Sequence, residues 1–152
     1  MNLKEISEID YNSSDLPILF EDKRIDRVFG IISNDKHSFR LAWQSTIVKP
    51  ILKEVDKEIY AIGIDRKFVL FDLKLVKIIA KIELNYFFYD LVIYDNFILV
   101  VTELEIFIIN KLNYQVVKDL PLPDIYSKME ISEQNMKFIC IDGSEVDFYI
   151  EK

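Results

Sequence analysis

Histidine and cysteine are almost missing from this chain. Its 152 residues hold one of each, His37 and Cys140, with three glycines, four prolines and one tryptophan. A zinc site needs several His, Cys or carboxylate ligands at fixed spacing, so ligand count argues against one. A Ser–His–acid triad would have to use His37, and no serine stands in a glycine-flanked elbow. The glycine patterns that cradle phosphate or a dinucleotide are absent. A lone cysteine cannot close an internal disulfide, which points to a reducing compartment. Within Phe138-Ile139-Cys140-Ile141 it reads as a small buried hydrophobe. The apolar runs are short and end in charge, so no transmembrane helix is expected. The polar, acidic stretch Met1 to Asp10 does not read as a signal peptide. A cytoplasmic location is the resulting expectation.

What is abundant is apolar and acidic. Hydrophobic residues make up 51% of the chain and charged residues 30%, the balance of a folded protein with a core, here read as a single domain over 1–152. The net charge is −7. Residues 1–26 hold three bases against seven acids, and residues 124–152 repeat that ratio, leaving a nearly neutral middle. Such a field repels a phosphate backbone and attracts a basic partner.

Residues 1–26 read as an irregular N-terminal segment around the turn cluster Asn12-Ser13-Ser14-Asp15, with a weak helical period over Leu3–Ile9 and a short edge segment at Leu16 to Phe20. Residues 27–57 read as a hairpin region. Val28 to Ile32 is a strand, Asn34-Asp35-Lys36 a turn, and Ser38 to Gln44 the return strand, with Phe39, Leu41 and Trp43 alternating inward. Thr46 to Val48 and Ile51-Leu52 are expected to continue extended around Pro50, and Lys53 to Lys57 to form a charged link.

From residue 58 to 152 the chain repeats itself. Strands are predicted at Ile59–Ile64, Lys67–Leu73 and Val76–Leu84. They recur at Phe97–Thr102, Glu105–Asn110 and Tyr114–Leu120, an offset of 38 from Ile59 to Phe97 and from Asp72 to Asn110. Pro121-Leu122-Pro123 should then break pairing. A degenerate third copy starts near Ile125, where matching Phe138 to Phe97 gives an offset of 41. Ile, Val, Phe and Tyr crowd these segments and suit a pleated surface. Continuous runs such as Phe97 to Val101 imply strands covered on both faces. The aromatic run Tyr86-Phe87-Phe88-Tyr89 cannot all face one side of a strand; one alternate pair is a candidate partner patch, although covered sheet faces are the preferred expectation.

The unit Phe97–Thr102, Glu105–Asn110, Tyr114–Leu122 resembles a β-propeller blade, and Phe71-Asp72 with Ile78 to Leu84 matches it in the first copy. The chain has no Trp-Asp pair and so departs from the WD subtype. The resemblance implies an all-β protein of three or four small antiparallel sheets in propeller-like order, not necessarily closed. Four sheets would require residues 1–57 to supply a whole blade and one further strand.

In profile the chain is similar to bacterial toxin-immunity proteins of contact-dependent growth inhibition systems, being small, acidic and without reactive residues. That resemblance implies a monomer that binds a basic toxin domain, such as a nuclease, one-to-one and covers its active site. The expected contacts are the loop and late-strand acids Asp124, Glu130, Glu133, Asp142, Glu145 and Asp147, with Asp10 and Asp15. No cofactor, metal, membrane or direct nucleic-acid partner is expected. A non-catalytic propeller-like interaction module, or a subunit of a larger assembly, is the alternative. An enzyme working through paired strand carboxylates has less support.

Overall fold

Short strands joined by tight turns set the architecture. The computed structural model describes residues 1–24 and 26–150, so Ile25, and Glu151 and Lys152 of the acidic C-terminal stretch, lie outside the described residues. The described residues form two compact units, Met1–Asn85 and Tyr86–Lys152.

The first unit begins with strand β1 (Asn2–Ile6), helix α1 (Glu8–Ser13) and strands β2 (Ile18–Glu21), β3 (Val28–Ser33) and β4 (Ser38–Trp43), which make a sheet of order β1-β3-β4-β2. Where the sequence suggests an irregular segment, the described residues up to Glu21 hold β1, α1 and β2. Leu3 lies in a strand, and the helix starts only after Ser7, whose side chain accepts from the Asp10 amide at 3.1 Å. That capping bond offsets one orphan helix donor, and Glu8 and Asp10 suit the positive helix start. The expected edge segment is present as β2, although it runs parallel to β4. Pro17 precedes it and its carbonyl accepts from the Arg40 amide at 2.9 Å.

Helix α1 covers the face of this sheet that alternation assigned to solvent. Ala42 is fully buried there beside Tyr11 and Phe29. The Tyr11 and Phe29 rings lie 4.8 Å apart, and the Tyr11 hydroxyl donates to Glu21 Oε2 at 2.6 Å. Arg40 fastens the segment, donating to the carbonyls of Leu16 and Tyr11 at 2.8 and 2.9 Å.

The second sheet is an antiparallel meander of β5 (Ile51–Asp56), β6 (Ile59–Ile64), β7 (Lys67–Asp72) and β8 (Lys77–Glu83). The expected charged link is thus a strand. β5 lies at the sheet edge, where Lys53 and Glu54 face water and only Val55 is buried, so its composition reads as linker. Thr46 to Val48 form bends instead of a strand. The inner faces of the two sheets pack Phe20, Ile32, Phe39, Leu41 and Trp43 against Tyr60, Ile62, Ile64, Val69 and Phe71.

The second unit pairs a meander of β9 (Phe88–Tyr94), β10 (Phe97–Thr102), β11 (Glu105–Asn110) and β12 (Val116–Pro121) with a three-stranded sheet of β13 (Tyr126–Ile131), β14 (Asn135–Cys140) and β15 (Glu145–Tyr149). Its core joins Leu99, Val101, Ile106 and Ile108 to Tyr126, Met136, Phe138 and Cys140. Ile98 through Val101 are all fully buried, as a strand covered on both faces requires. β12 includes Pro121, so pairing ends one residue later than the sequence suggests; at an edge strand the missing N–H costs no ladder bond.

The repeat extends to single hydrogen bonds. Leu73 N donates to Glu58 O at 3.0 Å, and Lys111 N to Asn96 O at 2.7 Å. Leu84 N donates to Arg66 O at 2.7 Å, and Leu122 N to Leu104 O at 2.8 Å. Donors and acceptors alike are 38 residues apart. Val76 and Tyr114, also 38 apart, both take left-handed backbone, with φ of 51° and 58°. The third copy keeps the spacing too, since Asn135 stands 38 after Phe97, and the offset of 41 is corrected. The drift enters later, in the β14–β15 turn, which is two residues longer than that between β10 and β11. A polar Asn at the strand start hid the alignment.

Candidate functional site

Main-chain bonds gather four segments at one end of the second unit. Glu103 N donates to Phe87 O at 3.2 Å and Tyr126 N donates to Glu103 O at 2.8 Å. Ile141 N donates to Ile125 O at 2.8 Å, and Gly143 closes the adjoining turn at φ 86°, which glycine adopts without strain. Thr102, fully buried, donates through Oγ1 to Glu105 O at 2.7 Å and holds the β10–β11 turn. The start of β9, this turn, the β12–β13 connection and the β14–β15 turn therefore share one surface.

That surface is apolar and acidic. Tyr89 is 58% exposed, Ile125 43% and Ile141 67%, and Tyr86 and Phe87 are exposed beside them. The preferred expectation of covered aromatics is corrected: Phe87 and Tyr89, an alternate pair, face outward, while Phe88 is half-buried opposite Thr102. A register shift between Val101 and Thr102 accompanies the turned-out Tyr89. The rings of Tyr89 and Tyr126 meet edge to face at 5.5 Å. Burial, then the charge of Asp90, then Tyr89, push the Tyr126 hydroxyl up to about 12, so it stays protonated at neutral pH. Asp90, Glu103 and Asp124 are half-buried. None of the three has an ion-pair partner among the described residues. The stretches 86–90, 102–105, 121–126 and 140–144 contain no lysine or arginine.

The sequence-predicted contacts fall in several places. Asp124 and Asp142 belong to this end. Asp142 accepts from the Ser144 amide and hydroxyl, which hold its carboxyl below the usual range. Glu130, Glu145 and Asp147 surround Lys137 on one face of the three-stranded sheet. Lys137 pairs directly across from Glu130 and Asp147 and bridges Glu145 at 3.4 Å. Its pKa is raised, by Glu145 first and then Asp147. Glu133 lies in the β13–β14 turn, at the other end of those strands. Asp10 and Asp15 belong to the first unit, on and just after α1. Asp90 and Glu103 were not among the predicted contacts; adjacency to exposed aromatics was their only signal.

The division into units relocates the charge. Between Met1 and Asn85 fourteen bases meet fourteen acids, and between Tyr86 and Lys152 five bases face twelve acids. The whole net charge of −7 therefore falls on the second unit, not on two acidic extremities. Folding places the lysine-rich middle of the sequence beside the N-terminal acids, as in the pair Lys49–Glu5 at 2.5 Å.

Elsewhere, Cys140 is buried within the second core. His37 is half-buried in the β3–β4 turn, its amide donating to Asn34 Oδ1 at 2.7 Å. It lines a polar cavity of about 380 Å³ with Lys36, Lys57, Glu58 and Lys74. No group of three His, Cys, Asp or Glu among the described residues could hold a metal. No helix among them is long and apolar enough to cross a membrane.

No protein-family model matches this sequence, and no curated protein does. Solved structures do. The computationally designed Ika4 protein aligns with a TM-score of 0.53 and 12% identity over 91% of this chain and 94% of its own. Sqt1 of Saccharomyces cerevisiae aligns at 0.51 and 11% identity, over 84% of this chain but only 44% of Sqt1. The Pan2 WD40 domain of Neurospora crassa gives 0.43 and 8%, over 96% and 66%. At such identities the likeness concerns fold alone. The chain is an all-β protein of four small sheets in propeller-like order, antiparallel but for the β2–β4 pair and none closed on itself among the described residues. Residues 1–43 do supply a whole sheet and β5 the further strand that four sheets demand.

Proposed function

We propose that this protein is a non-catalytic, cytoplasmic interaction module whose second unit binds a basic protein, and that it serves as an immunity protein covering the active site of a nuclease toxin. One observation carries the reading: the entire excess of negative charge lies on the 67 residues of the second unit. A nuclease holds RNA or DNA with Lys and Arg, and an acidic surface is the complement of such a cleft. Steering by that field would speed capture and weaken as salt rises.

Co-purification with the basic product of an adjacent gene, followed by a toxicity assay in cells, tests this reading. A one-to-one complex that protects the cells is expected. No complex at low ionic strength would overturn it.

A second reading, a subunit of a larger assembly, draws on the three-stranded sheet. β7 and β11 each have an outer neighbour, in β8 and β12, whereas β15 pairs with β14 alone among the described residues. An unpaired edge invites a further strand. Light scattering separates the two, since a stable dimer or larger particle in the absence of partner favours assembly.

A further inference from the structure

Resting on the reading of a basic partner, we infer that the aromatic end of the second unit is a docking surface for arginine side chains of that partner. Tyr89, Ile125 and Ile141 are exposed on segments that the bonds joining Glu103 to Phe87, Tyr126 to Glu103 and Ile141 to Ile125 hold side by side. Exposed large hydrophobics gathered in this way mark an interaction site. The neighbouring charge states what kind. Asp90, Glu103 and Asp124 are half-buried around the patch and unpaired with any cation among the described residues. A guanidinium is the group that satisfies both halves of this chemistry, since its plane stacks on a phenol ring while its fork donates to a carboxylate. A lysine ammonium, more strongly hydrated and without a plane, gains less. A second copy docking through the same surface would bring acid against acid. An anionic lipid surface or a nucleic acid would be repelled by the same charge.

The surface is also preorganised. Tyr89 is propped edge-on against Tyr126, which is buried and fixed by its own amide bond to Glu103. A rigid aromatic anchor with half-desolvated polar groups around it has the anatomy of an interface hot spot. Asp95, in the β9–β10 turn at the opposite end of the unit, has no comparable apolar neighbour in its own turn and serves as the control.

The test uses the full chain and two short probes, tetra-arginine and tetra-lysine peptides, followed by amide chemical-shift perturbation. Tetra-arginine should shift Tyr89, Glu103, Ile125 and Ile141 and bind several-fold more tightly than tetra-lysine. Tyr89→Ser, and separately Ile141→Ser at a position outside the core, should each weaken it by about tenfold. Asp95→Asn should change affinity less than about twofold. Melting curves confirm that each variant is folded. Equal shifts at both ends of the unit, no arginine preference, or indifference to both Tyr89→Ser and Ile141→Ser would overturn the assignment. A toxin complex that forms and is insensitive to those variants sinks this surface but leaves the basic partner standing. Absence of any basic partner sinks the wider reading instead.

Discussion

Phe39 and Phe71 meet edge to face at 5.6 Å, one from each sheet of the first unit. Both are essentially buried, and 32 residues separate them in sequence. Their contact welds the β1–β4 sheet to the β5–β8 sheet. Truncation of either to alanine should cost about 3–5 kcal/mol by removing buried area and leaving a cavity. A double-mutant cycle should return a coupling of about 0.5–1.5 kcal/mol beyond area alone. Denaturant unfolding followed through Trp43, the sole tryptophan and fully buried, measures both.

Gly30 tests the same core from the backbone. A Cβ added there would lie 2.9 Å from Trp43 Cζ3 and 3.2 Å from the Lys4 carbonyl. The indole is locked in the core and β1 is paired at that point, so neither neighbour can yield cheaply. Gly30→Ala should destabilise by about 1–3 kcal/mol, overriding the smaller entropic gain of losing a glycine. A blue- or red-shifted Trp43 emission in the native variant would report the displaced indole.

Tyr126 should make stability sensitive to alkaline pH. Its pKa is raised in the fold from 10.0 to about 12, by burial first and by Asp90 next. A raised folded-state pKa contributes stability that is complete below pH 10 and is lost as pH climbs through about 12. Tyr126→Phe should flatten this dependence between pH 10 and 12 in thermal melts. An unchanged slope would place the alkaline loss elsewhere, for instance at Tyr11, whose hydroxyl is also raised by burial and by Glu21.

Lys137 sits amid Glu130, Glu145 and Asp147 on an exposed sheet face. Lys137→Ala would leave Glu130 on β13 and Glu145 and Asp147 on β15 facing one another across β14. The melting temperature should fall at low salt, and the difference from the parent should shrink as salt is added, because surface repulsion is screened. A difference that persists at high salt would point instead to lost packing of the lysine stem.

Much of the fold was legible because its signals are local. The sequence bounds Ile59–Ile64 and Phe97–Thr102 to the residue, since apolar runs followed by Asp65-Arg66 or preceded by Asp95-Asn96 need no distant information. The N-terminal sheet is poorly legible for the converse reason. β1 pairs with β3, and Arg40 reaches back across 24 and 29 residues to Leu16 and Tyr11, so the partners that order residues 1–26 are remote. Val76 shows another limit. A β-branched residue in left-handed backbone defies its own preference, and only the equivalent turn at Tyr114 reveals that the repeat imposes it. Asp124 and Asp142 were found as acids in loops, whereas Asp90 and Glu103 required knowing that the β9 start and the β10–β11 turn adjoin.

Composition and period alone fixed an all-β chain of repeating short strands, poor in reactive side chains and negatively charged, because strand preference and turn chemistry act over a few residues. Tertiary structure alone decided that the N-terminal acids are neutralised within the first unit while the second keeps the full charge. It alone brought the segments of Tyr89, Ile125 and Ile141 together with carboxylates that meet no cation among the described residues. Electrostatics and apolar contact depend on distance in space, and the chain's order does not specify that distance until the strands have paired.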